Sequence, residues 1–351
     1  MSVKLKLTKD AVAEEWKAPP PVWSRGFRAQ RKWKPIQVLQ VFEIATALAH
    51  GIQFALVVVL TRHKDLRVPT NVSYVLWPPR SATNKYFTMH TSHVGSLSLA
   101  RAVYSFFGLS FLFQFLAVTL FWKRFARSML LDYNQLARWH EYSISASVMG
   151  LIFASLSNVL DANQLMMVFV LLFATMMLGL VQEKVMTAYI HRKQDNQHLR
   201  EVSADLTAAV GALDTDTRDT VAHLVDSISP PPDKHVQLQF LFGAHLVGWV
   251  TFVAPCFLFA SRFFLTVQHS AERPPAWVYA VYLSQFLFFG SFGFVQLVSQ
   301  LALYYAGTDE RKLQQIAIRT EVAYTTLSLC AKSVLAWVLY SNAIVESSIK
   351  Y

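Results

Sequence analysis

Cysteine is nearly absent: the 351 residues hold two, Cys256 and Cys330, both inside apolar runs. This excludes a disulfide framework and any cysteine-based zinc spacing, and it leaves the redox compartment open. Charge is also scarce. Charged residues make up 15% of the chain against 54% hydrophobic and 14% aromatic, whereas soluble domains carry about a quarter charged residues. No hydrolytic triad, glycine-rich phosphate loop or metal-ligand cluster can be picked out, which argues against an enzyme. The chain opens MSVKLKLTKDAVAEEW, without an apolar stretch and cleavage site, so no signal peptide is expected and the first apolar run should serve as the insertion signal. The formal charge of +10 would suggest nucleic acid in a soluble protein. Here Lys and Arg gather at the ends of apolar runs, as topology requires, and no nucleic-acid partner is expected.

What is present is a series of apolar runs long enough for a lipid bilayer, at about 20 residues each. They predict an all-α, seven-transmembrane-helix bundle with spans at about 36–60, 96–122, 136–160, 164–190, 236–264, 276–306 and 316–346. Residues 1–35 hold nine Lys/Arg against three Asp/Glu and read as a basic cytoplasmic tail. Residues 61–95, with VSYVLWPP and KYFTMH between Pro and Asn, predict a small β-hairpin in the first extracellular loop. Residues 191–235 form a cytoplasmic insertion. Leu199, Val202, Leu206, Val210 and Leu213, then Val221, Leu224, Val225 and Ile228, recur at helical spacing and predict two short amphipathic helices. Lys123, Arg124 and Arg127 after the second span, and Arg311, Lys312 and Arg319 before the seventh, place the N-terminus in the cytoplasm and the C-terminus outside.

One charge resists this scheme. Lys332 lies near the middle of the run from Val322 to Val345, roughly 15 Å from either end at 1.5 Å per residue. A lysine side chain cannot snorkel that far, and a central charge costs about 2.5–3.5 kcal/mol on insertion scales. Three readings compete: a structural ion pair, a proton or ion relay, and an amine bound to an aldehyde as a Schiff base. Each needs a carboxylate partner. Glu43, Glu141, Glu183 and Glu321 are the candidates, and Glu141 sits well inside a span lined with small residues. Helical spacing puts Ser145 and Met149 on its stripe, with Tyr142 adjacent, and puts Ser328 one turn from Lys332. His50, Gln53, Gln114 and Gln296 are further mid-span polar groups able to extend a hydrogen-bonded network. Glu183, beside Lys184 at the cytoplasmic boundary, reads as a solvated helix-end charge, or as part of an acidic proton path with Glu43 and Glu141.

The sequences RWHEYSISASVMG, FFGSFGFVQ and SLSLCAKSVLAW, in the third, sixth and seventh spans, resemble those of the heliorhodopsins over about residues 36–346. The resemblance implies a light-sensing protein of inverted topology, a homodimer, with all-trans retinal bound to Lys332 as a protonated Schiff base and Glu141 as counterion. It also implies that His50, Gln53, Ser328 and Trp337 lie near the amine, and that Met176, Phe289 and Gln296 line the chromophore. A slow photocycle without ion pumping would follow, with a cytoplasmic signalling partner met through the 191–235 insertion. Light-gated or light-driven proton or cation transport is the alternative. Gln114 departs from the family, which commonly has a histidine there, as do Gly290 and the long loop before the fifth span.

Overall fold

The computed structural model describes residues 34–63, 65–76, 88–210, 241–271 and 273–344. Among these residues there are eight helices and one two-stranded sheet. In chain order they are α1 (Lys34–Thr61), β1 (Arg67–Leu76), β2 (Thr88–Ser98), α2 (Leu99–Val118), the short α3 (Trp122–Arg127) and α4 (Leu136–Leu156). Then follow α5 (Ala162–Val210), α6 (Gly243–His269), α7 (Ala276–Ala306) and α8 (Glu310–Leu339), with wide π turns at Ser128–Asp132 and Tyr340–Ile344.

Six of these helices, α1, α2, α5, α6, α7 and α8, are long and apolar enough to cross a membrane. α4 is not among them, because Arg138, Glu141 and four serines lower its hydropathy. Its polarity has a structural reason: 14 of its 21 residues are buried, so α4 faces its neighbours rather than lipid. It packs between α2 and α5; α1 packs on α2, α6 on α5, α8 on α1 and α7 on α8, and α7 meets α5 and α6, which closes the ring. Two glycines allow the closest approach. A Cβ on Gly150 of α4 would lie 2.1 Å from the Leu172 side chain of α5, and one on Gly179 of α5 would lie 2.2 Å from the Trp139 ring of α4. Outward-facing Val41, Val59, Phe257, Phe264, Phe294 and Val298 present the apolar exterior that a bilayer requires.

The hairpin predicted between the first two spans is present as an antiparallel pair, with a bulge between Thr70 and Asn71; its tip, 77–87, lies outside the described residues. Several helix bounds differ from expectation. α2 stops at Val118, not 122, and the basic residues after it belong to α3; the π turn that follows ends with Tyr133 in the left-handed region (φ 55). α4 ends at Leu156 rather than 160, and α5 already begins at Ala162. α5 does not stop at Ile190. It runs unbroken to Val210, so the Leu199–Val210 stripe is no separate helix. At 1.5 Å per residue its 49 residues span about 74 Å, more than twice a hydrocarbon core. The stripe from Val221 to Ile228 and the tail to residue 33 lie outside the described residues. α8 begins at Glu310, six residues before the expected start, because the Asp309 side chain accepts from the Arg311 and Lys312 amides and caps it.

The α4–α5 turn is fastened to the hairpin by one carboxylate. Asp161 Oδ2 accepts from the Ser73 amide (2.8 Å), and Oδ1 accepts from the amides of Asn163 (2.9 Å) and Gln164 (3.3 Å), capping α5. Asn71 adds a backbone bond to the Leu160 carbonyl at 2.9 Å. The slight burial of Asp161 pushes its carboxyl up, but donation from these amides outweighs this and holds it below the ordinary aspartate range. A depressed carboxyl stabilises the fold above its unfolded pKa, and that contribution is lost as pH falls through the folded value. Asp161→Ala should therefore cost about 1 kcal/mol of local stability, the usual scale for a helix cap. Hydrogen exchange should show faster exchange at Ser73, Asn163 and Gln164 while the core amides of α4 stay unchanged; acidification of the parent below about pH 4 should have the same local effect.

Candidate functional site: a buried lysine at the end of an apolar cavity

Lys332 is buried at the centre of the bundle, with 3% of its surface exposed. Its Nζ donates to Glu141 Oε1 at 2.7 Å, to Ser110 Oγ at 2.6 Å and to Ser328 Oγ at 2.8 Å, so all three ammonium protons are used. Ser110 Oγ also lies 2.7 Å from Glu141 Oε1, to which its hydroxyl can donate. The Tyr142 ring stands 5.2 Å from Nζ, and the Tyr142 hydroxyl is held by the Tyr324 carbonyl at 3.1 Å. Three helices therefore meet at one charge pair: α2 through Ser110, α4 through Glu141, and α8 through Ser328 and Lys332. The stripe predicted on each helix accounts for the meeting, since residues four apart share a face.

On the other side of Lys332 the surroundings change from polar to apolar. A cavity of about 300 Å³ is lined by Lys332, Ser145, Met149, Met176, Phe289 and Phe292. Met176, Phe289 and Phe292 also line a second cavity of about 460 Å³, which continues towards Trp139, Trp249 and Gln296. Together they have the lining of a small-molecule site, with a primary amine at one end and Met and aromatic walls along the rest. Ser145 Oγ is buried in this wall without a hydrogen-bond partner. An elongated apolar aldehyde fits such a chamber: the amine can meet its carbonyl carbon and the remainder can lie against the aromatic walls.

Of the residues singled out by sequence, Lys332, Glu141, Ser328, Tyr142, Ser145, Met149, Met176 and Phe289 stand around this amine and cavity. Gln296 lies in the second cavity, where it donates to the Gly179 carbonyl (2.8 Å) and accepts from His245 Nδ1 (3.1 Å). His50 is buried against Phe107, ring centroids 5.9 Å apart, with Nδ1 unpartnered. Gln53 and Trp337 pair with each other rather than with the lysine: Gln53 Oε1 accepts from Trp337 Nε1 (3.0 Å) and from Ser333 Oγ (2.8 Å). Gln114 lies one turn from Ser110 and bonds Glu43 Oε2 (2.9 Å) and Thr46 Oγ1 (3.3 Å). Glu183 is no solvated helix-end charge. It is 4% exposed and accepts from Arg138 Nη2 at 2.6 Å, because α5 continues past the expected boundary and keeps this turn inside the bundle.

Sequence reasoning missed Ser110 and Arg138. Ser110 is a small polar residue between aromatics in FFGLSFLFQ, one turn from Gln114, and that spacing was its available signal. Arg138 lies three residues before Glu141 and was readable as a helix-end cation. In the structure its two Nη atoms donate to Glu183 and Glu321, and its guanidinium lies 4.3 Å from the Tyr324 ring centroid. Glu43 and Glu321, set aside as lying near helix ends, are 1% and 3% exposed.

The heliorhodopsin family model matches residues 39–199 and 221–344. The chain belongs to the heliorhodopsin family. No curated protein matches it significantly. Membership implies a light-sensing, retinal-binding rhodopsin integral to the membrane, and it suggests a seven-helix bundle: the six apolar helices and α4, whose polar face the others cover. In this heliorhodopsin the Arg138 triplet joins α4, α5 and α8 beside the lysine site. Removing one partner from a buried ion network costs about 3–5 kcal/mol, since the remaining charges stay buried. Arg138→Met, which leaves Glu183 and Glu321 facing each other, should lower stability by that amount in denaturant titration of the detergent-solubilised protein. Combining it with Glu183→Gln and Glu321→Gln should restore at least half of the loss.

Proposed function

We propose that this heliorhodopsin senses light through all-trans retinal carried by Lys332 as a protonated Schiff base, with Glu141 as counterion. The observation that carries the reading is the 2.7 Å pair between Lys332 Nζ and Glu141 Oε1 at the end of an apolar cavity of about 300 Å³. Retinal, when bound, supplies absorption of visible light and a geometry that light can change. The protein's residues do the rest. Glu141 stabilises positive charge at the Lys332 nitrogen, and Ser110 and Ser328, which accept from the free ammonium, stand beside that nitrogen. Tyr142 covers it with a ring face, and Ser145, Met149, Met176 and Phe289 shape the chamber and exclude water. Loss of alignment between Lys332 and Glu141 removes stabilisation from the charged form and releases a proton to nearby acceptors.

The orientation is part of the same proposal. Lys123, Arg124 and Arg127 of α3 and Arg311 and Lys312 of α8 gather at one end of the bundle, where Gln314 donates to the Leu130 carbonyl, and the hairpin lies at the other. The positive-inside rule then puts the α3 end and the N-terminus in the cytoplasm and the C-terminus outside. A slow cycle without pumping, a homodimer and a cytoplasmic signalling partner rest on family membership. The α5 extension offers that partner a rod, anchored by Gln194 on Tyr133 and by the stacked Tyr189 and Tyr304 rings (5.6 Å). A transport path through Glu183 would first have to open its bond to Arg138.

Protein expressed with all-trans retinal should show a visible absorption band, and Lys332→Ala should abolish it. In Glu141→Gln the pH at which the visible band disappears should fall by about two units or more, since the loss of one nearby charge shifts a pKa by 1–3. A visible band that survives Lys332→Ala would end the proposal.

A further inference from the structure

Charge inside the bundle does not balance. Among the described residues four carboxyl side chains are buried, Glu43, Glu141, Glu183 and Glu321, against two buried Lys or Arg, Lys332 and Arg138. The two buried histidines do not make up the difference. His245 Nδ1 lies 3.1 Å from Gln296 Oε1, and its Nε2 accepts from Trp249 Nε1 at 2.9 Å, which is the pattern of a neutral ring. His50 has an unpartnered Nδ1, and an imidazolium there would leave an N–H buried without an acceptor. Lys332 serves Glu141, and Arg138 serves both Glu183 and Glu321. Glu43 is left with neutral partners: Thr325 Oγ1 at 2.6 Å on Oε1 and Gln114 Nε2 at 2.9 Å on Oε2. A buried ionised carboxylate without a cation is strongly disfavoured, and such a group takes up a proton instead.

The partners suit a protonated carboxyl as they stand. Thr325 Oγ1, 2.6 Å from Glu43 Oε1, can accept a proton from that oxygen as well as donate one, while Gln114 Nε2 donates to Oε2 at 2.9 Å. Glu43, Gln114 and Thr325 come from α1, α2 and α8. On α2 and α8 they lie one and two turns, respectively, from Ser110 and Lys332. The cavity they border, about 350 Å³, is also lined by Glu141 and Arg138.

We infer that Glu43 holds a proton in the resting protein, making the Glu43, Gln114 and Thr325 cluster a buried proton-binding site that shares one cavity with the counterion Glu141. The inference deepens the proposed function, because a proton stored there can answer charge movement at Lys332 and Glu141. It rests on that reading only for this last consequence.

Infrared spectroscopy tests it with and without retinal. Retinal-free protein at pH 8 should show the C=O stretch of a neutral carboxylic acid, lost in Glu43→Gln and retained in Glu183→Gln. Gln114→Leu and Thr325→Val keep the carboxyl but remove a partner, and each should move the band to higher frequency. Should Glu43→Gln not fold, these two variants decide. The same spectrum in parent and Glu43→Gln, or no displacement in either partner variant, would overturn the inference. Loss of the visible band in retinal-loaded parent would instead remove the functional reading while leaving the infrared result standing.

Discussion

The pair between Lys332 and Glu141 is the constraint on which the rest of the structure depends. Moving a single ammonium or carboxylate out of water costs several kcal/mol even after relaxation, so neither can be buried alone. Together they require three helices to arrive at one point with matched register, α2 to supply Ser110, α4 to supply Glu141 and α8 to supply Lys332. A shift of α8 by one residue would turn Lys332 by about 100° and leave both charges without partners. The pair thus fixes relative helix positions more sharply than interchangeable apolar contacts could.

The polar content of α4 follows from the same constraint. A helix that carries Glu141, an arginine and four serines cannot face lipid, and the other helices cover it. Small residues make that cover close: Gly150 and Gly179 let α4 and α5 interlock against Leu172 and Trp139. Towards the α3 end the interior stays polar, through the Arg138 triplet and the Glu43 cluster; on the far side of the amine it becomes the Met and aromatic wall of the chamber. The division between a polar half that manages charge and an apolar half that encloses the chamber is set by which side of Lys332 each helix stripe faces.

Much of this was legible in the chain. Apolar runs located the helices, the Pro- and Asn-flanked stretches located the hairpin, and the helical repeat put Glu141, Ser145 and Met149 on one stripe and Ser328 with Lys332. Boundaries were less legible where polar residues continue a helix beyond the apolar run. α8 starts at Glu310 because Asp309 caps it, and α5 continues to Val210 because the periodic stripe is helical whether or not lipid surrounds it. Glu183 was misread, and Arg138 passed over, for one reason: position near the end of a run suggests water, but only the packing of other helices decides whether water is there.

By itself the sequence determined the bilayer as solvent, the helix count suggested by its runs, the central lysine and the carboxylate that must accompany it, because hydropathy and helical period are local properties. The tertiary structure alone decided which polar groups meet. That Gln53 pairs with Trp337, Gln114 with Glu43, and Arg138 with two glutamates on different helices depends on rotation and depth of each helix in the bundle. Those are set by contacts between residues up to 284 positions apart, which no periodicity within one helix encodes.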